Sequence, residues 1–271
     1  MVARKVEESG HLERWLMSVL QARCRMVTVN LEEMKTRTAL EIALFEVWND
    51  FRWYLRRRGE LRVKVLDEAL SLWLRLLAPF APHVCEELWS QMGREGFISS
   101  ASWPVVDEGC IDVLAEEEEG LIGGVIEDTL SILRATKIAP VKVVYYGASG
   151  WKWRVFLRVL ERAVQQCEEL GMGEVMKGLL GGEDLRVEGK VLAGFVARIL
   201  KLVNRMPEDR KRALLRVGVL DEKAVLGEAA GFLGERFNVE VVVFSEEDAG
   251  CYDPKGRASM AAPYHPAIYV E

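Results

Sequence analysis

Hydrophobic residues recur at helical spacing through the first half of the chain. The clearest stripe has apolar side chains at i, i+3 and i+4 positions, which predicts one buried helix face. Its members are Leu66, Ala69, Leu70, Trp73, Leu74 and Leu77. Residues 11–29 carry a similar stripe and predict another helix. Asn30 followed by Glu33 has the spacing of a capping box, so we expect a further helix to begin at Asn30 and to run to about Leu55.

Two closely spaced prolines separate the striped helix from the next one. Pro79 lacks an amide donor and disfavours a helical ψ at Ala78, so we expect the first helix to stop there. Pro82 suits the first turn of a new helix, where its missing N–H would have no partner anyway. The buried positions predicted for that helix are Cys85, Leu88, Trp89 and Met92, and the outward ones are Glu86 and Glu87.

Residues 48–58 interleave aromatic side chains with arginines at the end of the helix predicted from Asn30. One interpretation makes the aromatics core residues and the arginines a solvated face, favoured by the negative end of the helix dipole. The other makes the arginines a strip of RNA phosphate contacts, with two of them one turn apart. Both hold if the apolar and basic side chains occupy different faces. The candidate contacts are Arg52, Arg56, Arg57 and Arg58.

The remainder of the first half predicts a loop and a last helix. Residues 93–120 are rich in turn-forming residues, and the acidic run at 116–119 is expected to be a solvated helix start. Apolar spacing over residues 121–133 then predicts a helix that closes the domain. Four or five helices with short connections indicate an all-α, mostly antiparallel bundle.

After Pro140 the pattern changes to short β-branched and aromatic runs separated by helical segments. Residues 141–147 and 239–244 are predicted strands, and residues 267–270 are a possible third. Strands separated by helices indicate a small α/β domain with a short sheet. The fold class is therefore mainly α, with a helical bundle over residues 1–135 and an α/β domain over residues 140–271.

Composition limits the classes of function. The chain has 36 basic and 42 acidic residues, a formal net charge of −6, which argues against indiscriminate coating of nucleic acid. Any RNA binding must then use a local basic patch. No apolar run approaches the roughly 20 residues of a membrane helix, and no signal peptide is expected at the N-terminus. The five cysteines form no CxxC pair, so neither a zinc site nor a disulfide framework is expected and a reducing cytoplasm fits.

The proline elbow also carries a family resemblance. Leu-Ala-Pro-Phe-Ala-Pro-His at residues 77–83, followed by Glu-Glu-Leu-Trp at 86–89, resembles the helical anticodon-binding domain of class I aminoacyl-tRNA synthetases. Lys-Thr-Arg-Thr-Ala-Leu at 35–40 and Gly-Phe-Ile-Ser at 96–99 are similar to leucyl-tRNA synthetases of the archaeal and eukaryotic-cytosolic type. The tail over residues 252–271 resembles their C-terminal domain.

This resemblance implies a partner and a set of contacts in the second half. In the family, the C-terminal domain reaches the long variable arm of leucine tRNA. The residues implicated are Trp151, Lys152, Arg257, Ala267, Ile268, Tyr269, Val270 and Glu271. Trp151 and Trp153 cannot share one helix face, so we expect one in the core and the other exposed, where it could stack on an unpaired base. The tail is expected either to read unpaired bases or to complete the sheet as an edge strand.

The resemblance does not extend to catalysis. The three histidines lie outside any HIGH motif, and no KMSKS loop, P-loop or editing domain is recognisable. We therefore expect no cofactor in this chain, since ATP belongs to the family's catalytic domain, and no aminoacylation by the chain alone. The implied partners are leucine tRNA and, in a split enzyme, a catalytic half; neither DNA nor a membrane is expected. Two alternatives stay open, a free-standing tRNA-binding paralogue and a helical interaction module without a synthetase partner.

Overall fold

The structure, a computed structural model, describes residues 10–57, 62–166, 170–180 and 189–271. They belong to two compact units, Met1–Glu116 and Glu117–Glu271. Arg58, one of the four predicted phosphate contacts, lies outside the described residues. Within these ranges no helix is both long and apolar enough to cross a membrane.

The first unit is helical, as the periodicity predicts. Its elements are α1 His11–Glu32, α2 Thr36–Glu41, a π-helical turn Ile42–Glu46, α3 Val47–Arg57, α4 Val63–Leu77 and α5 Pro82–Gln91. The core forms where the apolar faces of α1, α3 and α4 meet, around Leu16, Leu20, Phe51 and Leu76. A following helix, α6 Val113–Thr136, begins in this unit and continues into the second.

The predicted helix start at Asn30 is wrong. Asn30 lies inside α1, where its side-chain amide donates to the carbonyl of Met26 at 2.8 Å. Such a bond to the residue four positions back is compatible with a continuing helix. The chain instead turns at Met34, whose φ of 58° is left-handed. α2 then begins at Thr36.

The proline elbow is confirmed. α4 ends at Leu77, and Pro82 occupies the first turn of α5. Cys85 and Trp89 are buried as predicted, but Leu88 is 40% exposed because it lies on the outer face of this short helix. Glu86 is half-buried, since its carboxylate accepts the backbone N–H groups of Ile98 and Ser99.

The acidic run at residues 116–119 is not the solvated helix start that was expected. α6 begins earlier, at Val113, so the run falls inside the helix and two of its side chains turn inward. Glu117 and Glu119 are both buried. Glu117 accepts two hydrogen bonds from the guanidinium of Arg210, and this pairing makes its burial tolerable.

The second unit is the predicted small α/β structure. Its helices after α6 are α7 Gly150–Gln166, α8 Met172–Leu180, α9 Gly189–Asn204, α10 Glu208–Val217, α11 Glu222–Glu228 and α12 Ala230–Phe237. Its strands are β1 Lys142–Gly147, β2 Glu240–Ser245 and β3 Ala267–Val270. They form one sheet in the order β2-β1-β3, with β1 parallel to β2 and antiparallel to β3. The core lies around β1, whose residues from Val143 to Tyr146 are fully buried.

The third strand, which the sequence left open, is present. β3 is an edge strand with Val270 opposite Val143 and Ala267 opposite Tyr146. The predicted domain boundary near residues 134–140 stays a prediction. The two compact units divide between Glu116 and Glu117, which lie within helix α6.

Candidate nucleic-acid interface

Helix α3 is fixed to the first unit by its inner face. Val47, Asp50, Phe51 and Tyr54 follow the i, i+3, i+4, i+7 spacing of one helix side, and all four are buried. Three of them belong to the main hydrophobic core of this unit. The opposite face of α3 is therefore directed to solvent.

Two polar contacts on the inner face set the rotation of α3 against α1. The guanidinium of Arg23 donates to both carboxylate oxygens of Asp50, at 2.8 and 3.2 Å. Burial raises the pKa of Asp50, and its bond to Arg23 opposes that change. Burial also acts to lower the pKa of Arg23, but Asp50, Glu46 and Glu116 together outweigh it, so the pKa of Arg23 is raised. The Tyr54 hydroxyl donates to Glu13 at 3.0 Å. Such bidentate and buried bonds are directional, so they hold the outer face in one orientation.

The outer face of this segment combines aromatic, apolar and basic side chains. Phe45 is 60% exposed, Trp48 45% and Leu55 42%, and Arg52 and Arg56 are exposed beside them. In the part of the chain that the structure describes, neither Arg52 nor Arg56 forms an ion pair. We call these five residues the α3 strip.

The π-helical turn before α3 supports the strip from behind. A π turn shifts the backbone bonding from i−4 to i−5, and the Val47 N–H accordingly donates to the carbonyl of Ile42. The neighbouring carbonyl of Ala43 accepts the indole N–H of Trp73 at 2.7 Å. The Trp73 ring then stacks on Trp48, with centroids 6.1 Å apart. One side of Trp48 is thus packed, while part of its ring stays open to solvent.

The structure therefore modifies the sequence interpretation of residues 48–58. Phe51 and Tyr54 are core residues, as the first interpretation expects. Trp48 is not, and it shares its face with Arg52 instead of lying on a separate one. Arg57 is half-buried and has an interaction of its own. Phosphate contact by these arginines stays a prediction.

Lys152 has a different environment from the one that RNA contact requires. Its side chain is 4% exposed, and its Nζ donates to the carbonyls of Ser259 at 2.7 Å and Ala261 at 2.8 Å. The same Nζ lies 2.8 Å from Glu246 Oε2. Burial lowers the pKa of Lys152, while Glu246 opposes that shift. The predicted RNA contact does not fit this placement, because all the space around the ammonium is occupied by protein acceptors.

Of the two tryptophans of this region, one is in the core as predicted, but the other is half-buried instead of exposed. Trp153 is buried and contacts Tyr264 edge-on at 5.2 Å. Trp151 is half-buried and meets Phe195 edge-on at 5.1 Å. The packing against Phe195 covers part of Trp151, so only a portion of its ring could meet a base.

Arg257 lies in a tight loop organised by one carboxylate. Asp253 accepts the backbone N–H groups of Arg257 at 2.7 Å and Ala258 at 2.9 Å. The Arg257 side chain is exposed, and among the described residues its guanidinium has only a 3.8 Å contact with the sulfur of Met260. It is therefore open to an anionic ligand.

The tail residues Ala267, Ile268, Tyr269 and Val270 form the edge strand, and Glu271 extends it. The Glu271 N–H donates to Lys142 O at 2.9 Å, and its main-chain oxygen accepts from Lys142 N at 2.9 Å. Hydrogen-bonded pairs alternate along an antiparallel ladder, so the N–H and C=O groups of Ile268 and Val270 face the free edge. About half of the backbone N–H and C=O groups of the tail thus bond to β1, and the other half are available for hydrogen bonds to a ligand.

Beside this strand lies an aromatic and basic cluster, which we call the tail patch. Tyr252 donates its hydroxyl hydrogen to Glu271 Oε2 at 2.9 Å and meets Tyr269 edge-on at 6.3 Å. Lys142 lies 5.3 Å from the Tyr252 ring centroid, and Lys255 lies 5.6 Å from that of Tyr269. These five residues place two cations against two phenol rings.

Sequence reasoning missed Phe45 in the strip and Lys142, Tyr252 and Lys255 in the tail patch. Phe45 lies in an apolar helical run whose period the π turn alters, so the pattern assigned it no face. Lys142 comes into place only through the pairing of β1 with β3. The proximity of Tyr252 to Lys255 was a usable signal, because aromatic and basic residues close in sequence are typical of RNA-binding loops.

Comparison with known proteins gives consistent matches. The family described as the anticodon-binding domain of tRNA ligase matches residues 13–145, which include the whole α3 strip. The leucine–tRNA ligase of Methanococcoides burtonii is 36% identical over 268 residues, covering 98% of this chain and 27% of the relative. The Pyrococcus furiosus protein of the same name is 36% identical over 274 residues, covering 99% and 26%. That of Methanosarcina barkeri is 37% identical over 264 residues, covering 97% and 27%. The chain thus spans about a quarter of the length of these curated relatives.

Proposed function

We propose that this chain, which belongs to the leucine–tRNA ligase family, binds transfer RNA through the α3 strip. The observation that carries the proposal is that exposed aromatic and basic side chains share one face of a helix whose other face is held by buried hydrogen bonds. An exposed tryptophan is followed on the same helix face, one and two turns later, by two arginines without ion pairs among the described residues. Buried bonds from Arg23 and Tyr54 hold this helix in place. Arginine neutralises phosphates and tryptophan stacks on unpaired bases, so one surface serves both needs.

We further propose that the RNA is leucine tRNA and that the tail patch binds its long variable arm. Bases at the tip of an arm are unstacked and can be read on their edges, whereas the grooves of duplex RNA hide most of the sequence. The phenol rings of Tyr252 and Tyr269 offer stacking surfaces, and Lys255 offers positive charge beside them. Lys142 lies against the Tyr252 ring as well, but its ammonium is 3.6 Å from the Glu240 carboxylate.

The aminoacylation step is assigned to a catalytic part outside these 271 residues. The sequence contains no HIGH or KMSKS motif to hold ATP phosphates, so ATP would bind to that other part. In this proposal the chain needs no cofactor of its own, acts in the cytoplasm, and meets the catalytic part either within one longer polypeptide or as a separate subunit. Purified chain should give no leucine-dependent pyrophosphate exchange.

A binding experiment tests the proposal. Affinity for a leucine tRNA transcript is measured at several salt concentrations for the wild-type chain and for the double variant Arg52→Ala, Arg56→Ala. We expect weaker binding and a log–log salt slope smaller by roughly 0.7–0.9 for each lost phosphate contact. The matched control is Arg25→Ala with Lys35→Ala, which removes the same charge from exposed cations that are paired with Glu108 and Glu33.

The outcomes separate the possibilities. A reduced slope in the strip variant with an unchanged slope in the control supports binding at α3. Equal slopes in all three proteins would assign the arginines to a solvated face and overturn the proposal. Capture from native extract then asks whether a catalytic leucine–tRNA ligase part accompanies the chain.

A further inference from the structure

A groove on the second unit has features that the α3 strip and the tail patch do not explain. It has a volume of about 370 Å³ and lies between α9 with its following turn and residues 260–265. Its apolar lining includes Ile199, Leu202 and Met260. This volume is at the small end of the range for ligand sites in proteins.

Three cations line the same groove. Arg198, Lys201 and Arg205 follow an i, i+3, i+7 spacing, which places them along one side of α9 and its following turn. All three side chains are exposed. In the described part of the chain none of them forms an ion pair, and no carboxylate lines the groove.

One of the cations has a fixed position. The guanidinium of Arg198 donates to the carbonyls of Met260 at 3.2 Å and Ala261 at 3.5 Å, and it lies 5.5 Å from the Phe195 ring centroid. The Ala261 carbonyl also accepts from buried Lys152 at 2.8 Å. The Arg198 side of the groove is thus connected by hydrogen bonds to the buried interior of the unit. Lys201 and Arg205 are exposed at the opening of the groove.

The charge of the groove differs from that of its neighbourhood. An adjoining cavity, which shares Leu202 and His265 with it, is lined by Glu127 and Asp128 and by the ion pair of Glu117 with Arg210. Cations at a helix C-terminus have an ordinary explanation, since they neutralise the roughly half negative charge of the dipole there. Three full positive charges exceed that half charge several-fold, and the surplus makes the groove attractive to an anion.

We propose that this basic groove binds one nucleotide of RNA. A phosphate would contact Lys201, Arg205 and the free face of the Arg198 guanidinium. The attached unpaired base would lie on Leu202 and Met260, because a base has an apolar face that needs a flat, water-excluding surface. The inference rests on the proposed function for its source of RNA, and it adds a third contact surface to the α3 strip and the tail patch.

The test uses the full chain with Lys201→Gln and Arg205→Gln. The matched control is Arg212→Gln with Arg236→Gln, which removes two exposed cations on α10 and α12 of the same unit that do not line the groove. Binding of leucine tRNA and of a single-stranded hexaribonucleotide is measured by fluorescence anisotropy at fixed salt. We expect the double variant to bind both RNAs about tenfold more weakly, and the control to stay within about twofold of wild type. Unchanged melting temperatures exclude misfolding of the variants.

Two further ligands decide which chemistry the groove recognises. A hexamer with abasic riboses keeps the phosphates and lacks the bases, so it should bind several-fold more weakly than the normal hexamer in the wild-type chain only. Equal binding of both hexamers would overturn the base contact. Inorganic phosphate and a mononucleotide are also compared as competitors of the hexamer. If phosphate competes equally well, the groove is a general anion site and the nucleotide inference is overturned.

The outcomes also separate this inference from the proposed function. If the groove variant binds tRNA and hexamer like wild type while Arg52→Ala with Arg56→Ala weakens tRNA binding, the groove inference fails and the proposed function stands. If the wild-type chain binds no tRNA, the proposed function fails. The groove inference is then supported if the groove variant loses hexamer binding and overturned if it does not.

Discussion

The ammonium of Lys152 lies 2.8 Å from Glu246 Oε2, and the two side chains are 4% and 19% exposed. The same Nζ donates to the carbonyls of Ser259 and Ala261. One side chain at the start of α7 therefore connects the end of β2 to the loop that precedes β3. Removing one partner of a buried pair leaves the other charge without compensation, which is costly in a medium of low dielectric constant.

We expect Lys152→Met to lower the free energy of unfolding by about 3–5 kcal/mol. Urea denaturation followed by circular dichroism measures the change. Lys223→Met is the matched control, because Lys223 pairs with Asp248 but is 51% exposed, and exposed pairs contribute only about 0–1 kcal/mol. A loss of less than about 1 kcal/mol at Lys152 would show that the pair is not a stabilising connection.

Glu222 predicts a pH dependence of stability. Its carboxylate is buried and accepts the N–H groups of Ala148 and Tyr264, each at 2.7 Å. Burial raises the pKa of Glu222 from 4.5 to about 7, in spite of these two bonds. The folded chain then holds the proton more tightly than the unfolded chain does between pH 4.5 and about 7.

The contribution of Glu222 to the free energy of unfolding should therefore fall as pH rises through that window. The full loss is on the order of 3 kcal/mol, since one pKa unit corresponds to about 1.4 kcal/mol. Melting temperatures between pH 4.5 and 8 measure it, with Glu222→Gln as the comparison. The variant lacks one acceptor and should be less stable by roughly 1–3 kcal/mol at low pH, with a flatter profile. Parallel profiles for the two proteins would contradict the assignment.

Trp48 offers a test of base stacking in the α3 strip. Trp48→Ala should weaken binding of leucine tRNA by roughly 1–3 kcal/mol, the usual effect of removing an aromatic ring from under one base. Trp48→Phe should recover part of the loss, because a smaller ring still stacks. Phe97→Ala is the control, since Phe97 is 72% exposed and lies outside the strip. Equal effects at Trp48 and Phe97 would exclude a specific stacking role.

The sequence predicted the helices and strands better than the contacts between them. Helical spacing located α4 and the two prolines located the elbow, because these signals are local. The end of α1 was misplaced because Asn30 can either cap a helix or bond backward within it, and only the left-handed turn at Met34 decides.

The binding surfaces were less predictable for the same physical reason. Arg52 and Arg56 are neighbours in one helix, so their spacing sufficed to group them. Lys152 is next to Trp151 in sequence, and a basic residue beside an aromatic one is typical of an RNA contact. Its burial depends on Ser259 and Ala261, which are more than a hundred positions away. Long-range pairing of that kind leaves no local pattern.

The tail provides the last test, because β3 combines a structural role with the proposed RNA contact. Deleting residues 267–271 removes the strand that pairs with β1, so we expect a lower melting temperature and weaker binding of any tRNA. The deletion alone therefore cannot isolate recognition of the variable arm. Lys255→Ala can, because Lys255 is exposed and lies above the Tyr269 ring without joining the sheet.

We expect Lys255→Ala to leave the melting temperature unchanged and to weaken binding of a long-armed leucine tRNA about threefold to tenfold. A tRNA with a short variable arm should bind as it does to wild type, since its contacts would lie elsewhere. Lys177→Ala, which removes an exposed lysine on α8, is the matched control. Equal weakening for both tRNAs would assign Lys255 to general electrostatic attraction, and the arm would then have to be recognised by another surface.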